Sequence, residues 1–284
     1  GSERQMQKRD FSDPAQRDKA LGLLESVHYS IQRLRCGVGH RLDAIQRNAD
    51  VVNARTLGLL EDEHQKLLAS EKAFLKDIED CLLVHYPIWT EWLQHVKGLG
   101  PTFAARLLSM LFPPKAGIGP SVWYKAAGLA PELQPDGQRR LPRYRAVRCP
   151  RCAGKSFRRK SGEKVCVACG HVLPPGAGGV TFYPRLRALL WLIGQSFVMR
   201  GGYYRQVYER AKAQIAEKHA GDKDWPPARV DKTARIKAVK LFLSHLWEVW
   251  CELEGIPPRV PYCIEYLGHS NIIPAPRWSG NGKI

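Results

Sequence analysis

Nowhere in the 284 residues do eighteen apolar side chains follow one another, so no membrane-spanning helix is expected. The opening stretch Gly1-Ser2-Glu3-Arg4-Gln5 lacks the apolar core of a secretory signal, and Gly1-Ser2 reads as a cloning remnant. A cytoplasmic, nucleoid-associated location is therefore expected, and the eight cysteines are not expected to form a disulfide framework. Acidic residues are few beside basic ones: 27 Asp and Glu against 44 Lys and Arg leave a net charge of +17. Hydrophobic residues at 44% and charged residues at 25% exclude a disordered or collagen-like chain. The length suits about two domains with real cores, and the charge suits a polyanionic partner.

The charge is concentrated. Residues 1–90 carry a net charge of −1, whereas residues 139–164 carry a net +10 in 26 residues. The eleven cations there are Arg139, Arg140, Arg143, Arg145, Arg148, Arg151, Lys155, Arg158, Arg159, Lys160 and Lys164, against Glu163 alone. A solvated basic face is the plain alternative. A cluster this dense points to the phosphates of DNA or of a structured RNA. A membrane surface is the weaker rival, because the stretch has no amphipathic helical pattern.

The pattern predicts a mainly α fold. An antiparallel helical hairpin or coiled coil occupies 1–92, a helix-hairpin-helix region 93–140, an inserted four-cysteine zinc ribbon 141–178, C-terminal helices 179–256 and an irregular tail 257–284. In the first third, Pro14 after Ser12-Asp13 signals a helix start. Leu24, Ile31, Val38, Ile45 and Val52 then recur every seven residues, with Val27 and Leu34 as a second seam broken at Arg41. A second helix from about Thr56 to His85 repeats Leu60, Leu67 and Phe74, with His64 read as a packed histidine. Two such helices suit a homo-oligomer through this arm, or plain bundle packing with no partner.

The first chemical motif is Val96-Lys97-Gly98-Leu99-Gly100-Pro101-Thr102-Phe103. Gly98 and Gly100 permit a tight turn and close backbone approach, and Pro101 suits the first position of a helix. The open N–H groups of that helix can hold a phosphate without reading bases. Lys97, Gly98, Leu99, Gly100, Thr102 and Arg106 are the expected DNA contacts here. A glycine turn between two core helices is the alternative. Arg139, Arg140, Arg143, Arg145, Arg151, Arg158, Arg159 and Lys160 are the expected contacts beyond it.

The second motif is Cys149-Pro-Arg-Cys152 and Cys166-Val-Ala-Cys169, two CxxC knuckles 13 residues apart. Four thiolates at this spacing predict one closed, tetrahedral, structural Zn²⁺ site. Gly154 and Gly170 follow the knuckles where tight turns are expected, and His171 falls one position late for a ligand. Cys36, Cys81, Cys251 and Cys263 read as ordinary buried or free thiols. Helices are then predicted over Pro184–Arg200, Gly202–His219 and Asp231–Glu254, with Trp191, Trp247 and Trp250 read as core residues and base-stacking platforms as the alternative. Arg185, Arg187, Arg200, Arg205 and Arg210 are candidates to extend a phosphate track.

The order of these motifs resembles the C-terminal half of DEDD-type insertion-sequence transposases guided by a bridge RNA. The similarity lies in Val96–Ala105, in Ser121-Val-Trp-Tyr-Lys-Ala-Ala-Gly-Leu-Ala130-Pro131, in Arg185–Leu190 and in Tyr203-Tyr204-Arg205-Gln-Val-Tyr208, spanning roughly Leu57 to Trp250. The resemblance implies a transposase-like DNA-binding domain. No alternating strands with spaced carboxylates precede residue 57, so no counterpart of the family's RNase-H-like domain is expected. Asp136 stands where the family places a nucleophilic serine, and a carboxylate does not replace a serine that links covalently to DNA. No catalytic residue is assigned; Ser121, Ser156 and Ser161 are the remaining nucleophile candidates. The expectation is a non-catalytic protein that bridges or bends DNA. The alternatives are a recombinase subunit working with a guide RNA or a catalytic domain in trans, and a coiled-coil assembly factor.

Overall fold

A computed structural model describes residues 14–48, 53–133, 137, 139–142, 148–160, 163–173, 180, 182–257 and 273–278. The fold is mainly α. Helix α1 (Pro14–Asn48) begins at Pro14, and α2 (Ala54–His85) begins behind Asn53, whose side chain accepts from Thr56 N–H at 2.8 Å. The two run antiparallel. Arg17 donates to the His85 carbonyl near one end, Arg35 pairs with Glu71 midway, and Gly39 faces His64 further along.

The seam differs from the one the apolar pattern suggests. Leu24, Ile31, Val38 and Ile45 are half-buried, but Val27 is 40% and Leu34 61% exposed. The second line of the seam is instead Leu21, His28, Arg35 and Leu42, and across it Arg35 pairs with Glu71 of α2. Polar residues at heptad spacing do not announce themselves as core, and here they satisfy one another. Glu71 accepts from both Arg35 and Gln32. Val52 lies outside the described residues.

After α2 come α3 (Pro87–Glu91), a 3-10 turn at Leu93–His95, α4 (Pro101–Met110) and α5 (Ser121–Ala126). Helices α6 (Pro184–Arg200), α7 (Tyr203–Lys218) and α8 (Pro227–Leu253) complete the body. Helix α8 starts earlier than the stripe from Asp231 implied, because Pro227 takes the first helical position. Leu21, Ile78, Trp92, Leu107, Leu190 and Phe242 belong to one core, so the expected boundary at 92/93 falls inside it. Trp123 is fully buried in it, edge-on to Trp247 at 4.6 Å. Tyr208, Ile215, Val230 and Ala234 form a satellite core between α7 and α8.

The tail stretch 273–278 is irregular, as the Pro/Gly-rich sequence implied, yet it is tied down. Trp92 Nε1 donates to the Pro276 carbonyl at 2.9 Å, Ala275 is buried, and Arg277 pairs with Glu252 at 2.6 Å. His245 is wholly buried between Tyr204 and the Ile273 carbonyl, each at 2.9 Å. Because the carbonyl only accepts, His245 Nε2 carries the proton and Nδ1 accepts from the Tyr204 hydroxyl.

Between α5 and α6 the chain leaves the body. Strands β1 (Glu132–Leu133) and β2 (Arg139–Arg140) form a two-residue antiparallel ladder. Strands β3 (Phe157–Lys160), β4 (Glu163–Cys166) and β5 (Val172–Leu173) form an antiparallel sheet in the order β3-β4-β5. The excursion is anchored at both roots: Arg187 donates to the Pro142 carbonyl, and Tyr183 N–H donates to Ala126 O.

Candidate metal centre and glycine elbow

The four cysteines converge. The Sγ atoms of Cys149, Cys152, Cys166 and Cys169 all lie within 4.8 Å of one another, with Cys149–Cys169 and Cys152–Cys166 each at 3.5 Å. A disulfide would need about 2.05 Å. Four thiolates around one ion at about 2.3 Å lie about 3.8 Å apart, so the cluster fits a closed tetrahedral metal site. His171 is not one of the group; its carbonyl accepts from Cys166 N–H.

Backbone geometry builds the two knuckles alike. Ala153 N–H returns to Cys149 O at 2.8 Å and Gly170 N–H to Cys166 O at 3.0 Å. Each of these residues is left-handed, at φ +56° and +68°. The first knuckle thus places alanine, not Gly154, at the left-handed position. Gly154 is needed for another reason: a Cβ there would lie 3.2 Å from Cys152 Sγ and 3.4 Å from Cys166 Sγ. Burial works to raise the Cys149 thiol, but hydrogen bonds from the Arg151 and Cys152 amides and its neighbouring thiols bring it down to about 7. The Gly154 amide pulls Cys152 down, yet its sulfur neighbours push it up to about 12. Metal ligation takes cysteine as thiolate, so binding a metal would release protons from the cluster.

Of the cations expected between the knuckles, Arg158, Arg159, Lys160 and Lys164 lie on a hairpin. Arg158 pairs in register with Val165, Arg159 with Lys164 and Lys160 with Glu163. Arg148, Arg151, Lys155 and Arg158 are exposed. Arg140 is exposed on β2. The side chains of Arg139, Arg159 and Lys160 lie outside the described residues, as do Arg143, Arg145, Ser161 and Asp136 altogether.

At the elbow, Leu99 N–H donates to Val96 O at 3.0 Å, closing a β-turn whose third residue, Gly98, has φ +94°. That glycine serves packing within the protein: a Cβ would lie 3.1 Å from the Ser196 carbonyl oxygen, and Ser196 Oγ donates to Gly98 O at 2.6 Å. Leu99 is buried in the core. Gly100 is the residue open to solvent, with nothing within 4 Å of a Cβ built on it, and it caps α4 ahead of Pro101. The Thr102 and Phe103 N–H groups follow in the first turn, where an α-helix offers no internal acceptor. Lys97 is exposed and runs against Gly202, at the Gly201-Gly202 corner that opens α7. Nothing in the local residue pattern announces that this second glycine corner meets the first.

Arg106 departs from its expected role. Its guanidinium pairs with Glu25, which is 7% exposed on α1, and stacks over the Tyr29 ring at 4.6 Å. It joins α4 to the hairpin and points into the protein. Trp247 and Trp250 are buried as expected, but Trp191 is 40% exposed. In the segment around Ser121-Val-Trp-Tyr, Tyr124 Oη donates to Lys240 O at 2.8 Å. A Cβ on Gly128 would strike Phe182 at 2.6 Å, so these residues build the core. Cys36 and Cys81 are half-buried and Cys251 is buried, while Cys263 lies outside the described residues. No helix among the described residues is long and apolar enough to cross a membrane.

Compared with known proteins, the chain matches no family model, no curated protein and no solved structure.

Proposed function

We propose that this chain is a nucleic-acid-binding protein that grips the sugar-phosphate backbone of duplex DNA through two elements, the glycine elbow and the basic ribbon. The observation that carries this reading is the ribbon. A cysteine tetrad built for a metal ion displays exposed Arg148, Arg151, Lys155 and Arg158 within the segment that holds most of the chain's excess charge. Zinc is the ion whose chemistry fits four thiolates with no open position, and its role is structural. At the elbow, exposed Lys97, open Gly100 and the Thr102 N–H group offer a second phosphate contact. The resemblance to bridge-RNA-guided transposases agrees with this reading and makes a structured RNA the competing ligand. The α1–α2 arm would pair protomers, so that two DNA segments or one bent segment are held together.

The test is the salt dependence of binding to an unspecific duplex. Log affinity should fall steeply and linearly with log salt, by about 0.9 per phosphate neutralised. A flat dependence overturns the proposal. Gly100→Asp isolates the elbow: aspartate is a favourable N-cap, so the fold should persist, while its charge repels phosphate. Gly100→Ser, also a good cap, serves as the neutral control. For the metal, analysis should find about one equivalent of zinc, lost in a Cys149→Ser/Cys152→Ser double variant.

A further inference from the structure

We propose that the groove between α6 and α8 seats an unstacked base of a single-stranded nucleic acid, a site distinct from the elbow and the ribbon. The inference rests on the nucleic-acid reading above and adds a second class of contact to it. The groove encloses about 1010 Å³, at the upper end of the roughly 300–1,000 Å³ of small-molecule clefts. Phe182, Trp191, Ile236 and Val239 give it apolar and aromatic walls. A Cβ on Gly194 would fall 2.9 Å from Val239 Cγ2, so the glycine lets α6 and α8 approach closely here.

Among the described residues, every charged residue lining the groove is a cation: Arg187, Lys232 and Arg235. Two of them already stack on its aromatic rings. Arg235 Cζ lies 5.0 Å from the Trp191 centroid and Arg187 Cζ 4.8 Å from that of Phe182. Arg235 is held there by Asp231 at 2.7 Å, whereas Lys232 is exposed at the rim. Trp191 keeps 40% of its surface open, on a helix whose Leu192 and Met199 are also exposed. Aromatic faces interleaved with cations are what single strands use: the bases stack and the phosphates pair. A duplex keeps its bases stacked on one another and cannot present one to this groove. A peptide helix would lay its apolar face there but would bring no phosphate to the exposed Lys232 at the rim.

The test compares a labelled single-stranded oligothymidylate with a blunt duplex of equal length, by fluorescence anisotropy on the full chain. Trp191→Ala should weaken the single strand at least about fivefold and leave the duplex at its wild-type affinity. Trp191→Phe should restore most of the loss, and Lys232→Glu should weaken the single strand with a reduced salt slope. Unchanged single-strand affinity in Trp191→Ala overturns the proposal, and so does an equal loss on both ligands. A change of oligomeric mass in Trp191→Ala without loss of single-strand binding makes the groove a contact between copies and also overturns it. If the wild type binds single strands through Trp191 but no duplex, the groove stands and the duplex reading falls. If it binds neither, both fall.

Discussion

A Cβ built on Gly202 would fall 2.9 Å from the Cβ of Lys97, so the lysine crosses the α6–α7 corner only because that residue is glycine. Gly202 also has φ +89°, where a side chain is strained. Gly202→Ala should cost about 1–3 kcal/mol, read as a drop of several degrees in Tm. If the elbow binds duplex as proposed, Gly202→Ala should also weaken that binding by displacing Lys97. Gly98→Ala should destabilise for the same two reasons, the φ of +94° and the contact with Ser196. Equal stability of the Gly202→Ala, Gly98→Ala and Gly100→Ser variants would show that neither corner is tightly packed.

Arg106 and Glu25 form a poorly exposed pair joining α4 to α1. Arg106→Met should therefore act on stability and not on DNA affinity. It leaves a carboxylate at 7% exposure without its cation, for which the expected cost is about 3–5 kcal/mol. The double variant Arg106→Met/Glu25→Gln should recover much of that loss in urea unfolding. A DNA affinity that drops in the stable double variant would return Arg106 to the binding surface.

Acid should loosen the strap at 273–278. Burial, with help from Arg277, pushes His245 from 6.5 down to about 4, although the Ile273 carbonyl opposes this. The unfolded chain takes up a proton between those values that the fold refuses. Stability from this site is complete above about pH 6.5, falls as pH drops through the window, and levels off below about pH 4. The full span is about 3 kcal/mol. His245→Gln should flatten this part of the stability-pH curve; a curve unchanged by the substitution would place the titration elsewhere.

The parts legible in the sequence are those where one residue type has few physical uses. Cysteine pairs with two residues between them, proline at a helix start and glycine in a tight turn marked the ribbon's cysteine set, the starts of α1 and α4, and both ends of α6. The illegible parts depend on partners distant in the chain. Nothing local to Arg106 announces Glu25, 81 positions away, and nothing local to Trp92 announces Pro276. Ala153 hides a left-handed turn, whose N–H returns to Cys149 O, because the residue type alone disfavours that conformation. Trp191 reads as core by its helical spacing, but the groove beside it is left open.

Distant partners also govern the hairpin arm, where Arg35 and Glu71 occupy seam positions that an apolar pattern would assign to leucine and Gln32 bonds to Glu71 from beside the seam. Burial works to raise the Glu71 carboxyl, but its bonds from Arg35 and Gln32 outweigh that and hold it below the ordinary range. The arm's contribution from this carboxylate is therefore present above the usual carboxylate range and lost as pH falls through the lowered value. Glu71→Ala strips Arg35 and Gln32 of their common acceptor and should cost about 1–3 kcal/mol. The paired substitution Arg35→Leu/Glu71→Leu should instead match or exceed wild-type stability, because apolar side chains fill a coiled-coil seam without a desolvation cost. What the leucines remove is the mark of register. A two-residue polar layer accepts one alignment of α1 on α2, whereas a leucine layer accepts several. Crosslinking between cysteines placed at Gly39 and His64, which face one another, should be efficient only across the aligned seam in wild type and should spread to neighbouring positions in the double-leucine arm. A crosslinking pattern that stays sharp would show that the short α1–α2 connection alone fixes the alignment.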